Sequence, residues 1–109
     1  MSRKRLPATR TGRTHKVCCG PVTIYVTVNV DAAGKPQEMF AKSDEGYQGQ
    51  MDVLAETASL AMQHGCDLPT ILRHWRGHRY DPQGVGQGTS LPDAISRALW
   101  PIYAEGVAS

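Results

Sequence analysis

Residues Val22-Thr-Ile-Tyr-Val-Thr-Val-Asn-Val30 alternate without a break. In an extended chain Val22, Ile24, Val26, Val28 and Val30 share one face, while Thr23, Tyr25, Thr27 and Asn29 share the other. All five residues of the first set are β-branched. That favours a pleated, half-buried strand and disfavours a helix, whose period would scatter them around its surface. Such a strand needs partners. Asp31-Ala-Ala-Gly-Lys35 supplies the turn of a hairpin and Gln37–Ala41 the returning strand. His15–Cys19, ending at Gly20-Pro21, reads as a further strand paired with the long one.

From Gln50 to His64 the period becomes helical. Met51, Leu54, Ala55, Ala58, Ala61 and Met62 form one stripe, with Asp52, Glu56, Ser59 and Gln63 expected opposite. Gly65 stops this helix. Asp67 caps a short helix over Leu68–Arg76, Pro69 is tolerated in its first turn, and Gly77 ends it. After an irregular segment, a last helix is expected to bury Ile95, Ala98, Leu99 and Ile102 and to bend at Pro101. Strands followed by helices imply an α+β fold: an antiparallel sheet of about three strands with two or three helices packed on one face.

The stretch Gly84-Val-Gly-Gln-Gly-Thr-Ser-Leu-Pro-Asp93 concentrates the features of an anion site. Ser90 sits where an N-cap belongs, Pro92 falls in the first helical turn, and Asp93 follows three residues after the cap. A helix start leaves backbone N–H groups unpaired and carries about half a positive charge from the macrodipole. Gly84, Gly86 and Gly88 let the preceding backbone approach a ligand closely, and a cap alone requires none of them. The expected site is therefore Gly84, Gly86, Gly88, Thr89, Ser90 and Asp93, with Arg10, Arg13, Arg76 and Arg79 as sources of positive charge. The expected ligand is a nucleotide or another phosphate-bearing small molecule.

Thr89-Ser-Leu-Pro-Asp93 resembles the Thr-Ser-Cys-Pro-Asp signature of the TSCPD domain, with Leu91 where the signature has cysteine. Arg5-Leu-Pro-Ala-Thr-Arg-Thr-Gly-Arg-Thr-His-Lys16 is similar to the segment that opens this domain in adenosylcobalamin-dependent (class II) ribonucleotide reductases. Val22–Val30, the Gly34-Lys-Pro36 turn and Met39-Phe40 follow in the family's order. So do the helix around Leu54–His64, Asp67-Leu-Pro-Thr-Ile-Leu72 and Arg76-Gly77. The resemblance divides the chain into a basic extension, residues 1–4, and a single domain, residues 5–105. It implies a stand-alone, non-catalytic accessory module linked to deoxyribonucleotide supply, as a regulator or as the partner of a reductase subunit. The radical, cobalamin and substrate sites of those reductases belong to a separate barrel. The resemblance thus implies neither a catalytic residue nor a cofactor here, although a reductase name is easily transferred to such a chain. A phage-type protein that sequesters a nucleotide-derived signal is an alternative with the same binding chemistry.

Charge distribution suggests another alternative. Net charge is only +2, yet residues 1–30 hold Arg3, Lys4, Arg5, Arg10, Arg13 and Lys16 and no acid. This cationic arm suits nucleic acid, with Tyr25, Trp75 and Tyr80 as possible stacking rings. The mild pI of about 8.5 weighs against a dedicated binder. Metal binding is not expected: Gly77 interrupts the helix between His74 and His78, and Cys18, Cys19 and Cys66 make no Cys-x-x-Cys. An odd cysteine count with two adjacent suggests reduced thiols, and no cysteine has a patterned base beside it. No run approaches the ~20 apolar residues of a membrane span and the basic N-terminus lacks a secretory apolar stretch, so a cytoplasmic location is expected. The alanine-rich helix and valine-rich strand leave apolar surface to cover, which favours a homodimer.

Overall fold

The computed structural model describes residues 6–44, 46–77 and 90–104. Strands β1 (Thr11–Cys19), β2 (Val22–Val30) and β3 (Pro36–Ser43) are followed by helices α1 (Gln48–Gln63), α2 (Leu68–Trp75) and α3 (Leu91–Tyr103). The strands form one antiparallel sheet in the order β1-β2-β3, so the alternating valine segment is its central strand. Val22, Ile24, Val26 and Val28 are at most 3% exposed, because α1 packs against β3, α3 against β1, and α2 against α3. All three helices thus belong to one side of an α+β domain.

Local chemistry sets each connection. Cys19 pairs with Val22 across a two-residue turn in which Gly20 has φ 58°, a left-handed conformation that glycine adopts without penalty. The second hairpin is built on Asp31, whose Oδ1 accepts from the amides of Ala33 and Lys35, both at 2.9 Å. α1 ends in a Schellman motif: the Cys66 amide donates to the Ala61 carbonyl and the Gly65 amide to the Met62 carbonyl. Asp67 Oδ1 caps α2 by accepting from the Thr70 amide at 2.9 Å and its hydroxyl at 2.6 Å.

The core joins the sheet's inner face to Met51, Ala55, Ala58 and Met62 of α1, Leu68, Ile71 and Leu72 of α2, and Leu91, Ile95 and Leu99 of α3. Complete burial of a Leu or Ile in such a cluster contributes about 1.5–3 kcal/mol. Ile102, expected inside, is 46% exposed, and Ala98 is only half-buried. Ile102 lies towards the outer side of α3, whereas Ala98 still packs against the core; the helix continues through Pro101 to Tyr103.

A second correction concerns α1. Ser59 and Gln63, expected on its outer face, are buried against β3. Ser59 Oγ accepts from the Met39 amide at 2.8 Å and lies 3.0 Å from the Met39 carbonyl and 2.8 Å from that of Ala55. Gln63 donates to the Gln37 carbonyl at 3.1 Å. Gln48 donates to the Ala41 carbonyl and accepts from the Ser43 amide, both at 2.9 Å. The reason is that β3 is an edge strand. Its outward backbone groups need partners once a helix has excluded water from them.

Candidate functional site

The junction of α2 and α3 brings Arg73, Arg76, Asp93 and Arg97 together. Ser90 caps α3, accepting from the Asp93 amide at 3.4 Å through its hydroxyl and from the Ala94 amide at 2.9 Å through its carbonyl. Pro92 has no amide to offer. The Asp93 N–H, expected to be open to an anion, is therefore taken by the cap. Both side chains turn inward: Ser90 is 0% and Asp93 1% exposed. Asp93 Oδ1 accepts from the Gly77 amide at 2.6 Å, and Oδ2 accepts from Arg97 Nε at 2.9 Å. Gly77, with φ 87°, occupies a left-handed conformation as α2 ends. One carboxylate thus holds together the two flanks of residues 78–89.

Arginines surround this tie. Arg73 in the last turn of α2 and Arg76, its C-cap, both turn their guanidinium groups to the Trp100 ring of α3, 5.9 and 4.5 Å from its centroid. Asp93, Arg97 and Trp100 are spaced by four and then three residues, so they share one face of α3. The result is a surface of guanidinium groups oriented by an indole and a buried carboxylate. Such groups can hold phosphate or carboxylate oxygens through paired N–H donors.

The other expected residues are distributed differently. Arg10 pairs with Glu38 at 3.1 Å, on the sheet face away from the helices. Arg13 lines a separate cavity of about 340 Å³ with Thr11, Val28, Val30, Ile102 and Tyr103. At its edge the Tyr103 hydroxyl and His15 Nε2 form a hydrogen bond of 2.7 Å, with the rings edge-on at 5.5 Å. Burial, then the charge of Arg13, holds the His15 pKa below its ordinary 6.5. Burial raises that of Tyr103 above 10.0, against a smaller opposing effect of Arg13. Arg79, Gly84, Gly86, Gly88 and Thr89 lie outside the described residues.

Reading by motif therefore missed Arg73, Arg97 and Trp100. The signal was present as helical spacing from Asp93 and from Arg76. A motif centred on the glycine segment does not carry it. Cys66 and His74 line an apolar groove of about 400 Å³ between α1 and α2. Among the described residues no three His, Cys, Asp or Glu side chains gather where a metal ion would be held. Nor, among them, is any helix long and apolar enough to cross a membrane.

The profile of the TSCPD domain family matches residues 2–102. A vitamin B12-dependent ribonucleotide reductase of Streptantibioticus cattleyicolor is 30% identical over 106 residues, covering 89% of this chain and 18% of that protein. For a protein of the same description from Streptomyces coelicolor the identity is also 30%, over 89% of this chain and 11% of the relative. For one from Agrobacterium fabrum it is 28%, over 93% and 9%. The chain thus spans less than a fifth of the length of these relatives. No solved structure matches it. The Leu91 position, where the domain's signature has cysteine, is wholly buried at the start of α3. With a family match over nearly all of its length, the chain belongs to the TSCPD domain family.

Proposed function

We propose that this chain is a non-catalytic binding or accessory module of deoxyribonucleotide metabolism, holding a nucleotide or another phosphate-bearing small molecule where α2 meets α3. The observation that carries this reading is the placement of Arg73 and Arg76 over Trp100, beside the Gly77–Asp93 bond. Guanidinium groups steadied by an indole lose less freedom on meeting an anion than groups on mobile stems. Ser90 and Asp93 position this site from within. Arg79, Gly84, Gly86, Gly88 and Thr89 would complete it from the segment that Gly77 and Ser90 bracket. The relatives' description supports the metabolic link, and a reductase subunit is the proposed protein partner.

Amide NMR during titration with inorganic phosphate and then with deoxynucleoside triphosphates tests the site. Shifts are expected at Gly77, at Ser90–Ala94 and at the Trp100 indole, and Arg76→Ala should abolish them. Unchanged spectra at millimolar ligand would reject the reading. Native mass spectrometry of freshly purified protein adds the mass of any retained molecule. It also tests the proposed homodimer, which exposed Val53 and Leu60 on α1 support.

A further inference from the structure

The helices cover only one side of the sheet. On the other side the strand register aligns two rows, Lys16–Tyr25–Lys42 and Thr14–Thr27–Phe40, across β1, β2 and β3. Tyr25 is 44% and Phe40 55% exposed. They stand on adjacent strands in successive rows, which makes them diagonal neighbours about 7–8 Å apart. Lys16 and Lys42 flank Tyr25, are exposed, and take part in no ion pair among the described residues.

Among the described residues, the acids bordering this surface are engaged. Glu38 Oε1 receives Arg10 at 3.1 Å and Asn29 Nδ2 at 2.9 Å. The Asn29 side chain lies across Gly12, where a Cβ would overlap its Oδ1 and the Val28 carbonyl. Asp44 Oδ1 accepts from the Thr23 amide at 3.2 Å. The centre of the face is left with two aromatic rings, two hydroxyls bonded to each other at 2.7 Å, and two ammonium groups.

We propose that this open sheet face binds single-stranded nucleic acid, with successive bases stacking on Tyr25 and Phe40 and the phosphates meeting Lys16 and Lys42. Charge chooses the occupant. A second copy placed by two-fold symmetry would set this cationic row against another, while Glu38 is already paired with Arg10 and Asp44 is held by the Thr23 amide. A single strand offers flat bases for the rings and a phosphate beside each base for the ammonium groups. Duplex fits poorly, because its bases are already stacked on each other. The surface lies on the far side of the sheet from the α2–α3 arginines, so it is independent of the site proposed above.

The test is fluorescence anisotropy with a labelled oligothymidylate, using the full chain at low salt. Binding is expected to exceed that of a duplex of equal length. Tyr25→Ala and Phe40→Ala should each weaken it by about tenfold or more, with an unchanged melting temperature because both side chains are exposed. Lys16→Ala and Lys42→Ala should each reduce the slope of log K against log salt by about 0.7. Absence of binding overturns the proposal. So does affinity that survives Tyr25→Ala/Phe40→Ala, or a dimer that Phe40→Ala dissociates.

Discussion

The Gly77 amide donates to Asp93 Oδ1 at 2.6 Å, and this bond fixes the end of α2 against the start of α3. Asp93 is nearly sealed from solvent, so its charge is supported by Arg97 and by the positive end of α3 rather than by water. The arrangement makes one residue responsible for a cap, a crossing between helices and an ion pair.

Asp93→Ala should destabilise the domain by about 1–3 kcal/mol, because the Gly77 amide loses its acceptor and the exposed Arg97 its partner. Asp93→Asn keeps an oxygen for Gly77 and should cost about half as much. Urea unfolding of the two variants checks the order. Equal stabilities would show that the Gly77 bond contributes nothing.

Ser59→Ala should cost about 1–3 kcal/mol, since the Met39 amide is left buried with no acceptor. Hydrogen exchange gives the sharper readout. The Met39 amide should exchange faster in the variant, while amides on β1 keep their protection. Protection unchanged at Met39 would mean that Ser59 is not what shields it.

The sheet and the order of elements were legible because burial on one face imposes a period of two on β2 and a helical period on α1 and α3. The polar residues of α1 were not. Ser59 and Gln63 look like solvent-facing positions because a hydrophobic stripe cannot reveal that the strand beside it presents unpaired backbone. The site was half legible. Ser90 and Asp93 announced a helix start, but the sequence does not show that Asp93 turns inward to meet Gly77. Arg73, Arg76 and Trp100 come together only through the crossing of α2 and α3. Arg10 and Arg13 lie near each other in sequence, but Arg10 precedes β1 and reaches Glu38 on the outer face, while alternation along β1 puts Arg13 on the face of Val17 and Cys19.

Stability should fall with acid through His15. Its folded pKa lies below 6.5, so as pH drops the unfolded chain takes up the proton first. The contribution is complete above pH 6.5 and is lost as pH falls through the folded value. Tyr103 acts at the other extreme: with its pKa raised above 10.0, its contribution is complete below pH 10 and lost as pH climbs through the folded value. Melting temperatures between about pH 8 and pH 5 should fall less in His15→Gln than in the parent. Parallel curves would remove His15 from this account.

Leu91→Cys restores the signature residue of the family. The side chain at 91 is wholly buried, so the smaller thiol should cost about 1–3 kcal/mol through lost packing. It should also resist Ellman's reagent in the native state and react after unfolding. Rapid native labelling at position 91 would place the thiol at the surface instead.

The hydrogen bonds from Gln48, Ser59 and Gln63 to β3 have a consequence for assembly. A neighbouring strand would need the very carbonyls and amides that α1 already occupies, so β-addition at that border requires the helix to peel away. Among the described strands, continuous sheets between molecules, whether in a specific complex or in aggregation, must instead begin at β1. The domain is one-sided in this respect, and its resistance to forming fibrils should depend on how well that single remaining margin is guarded.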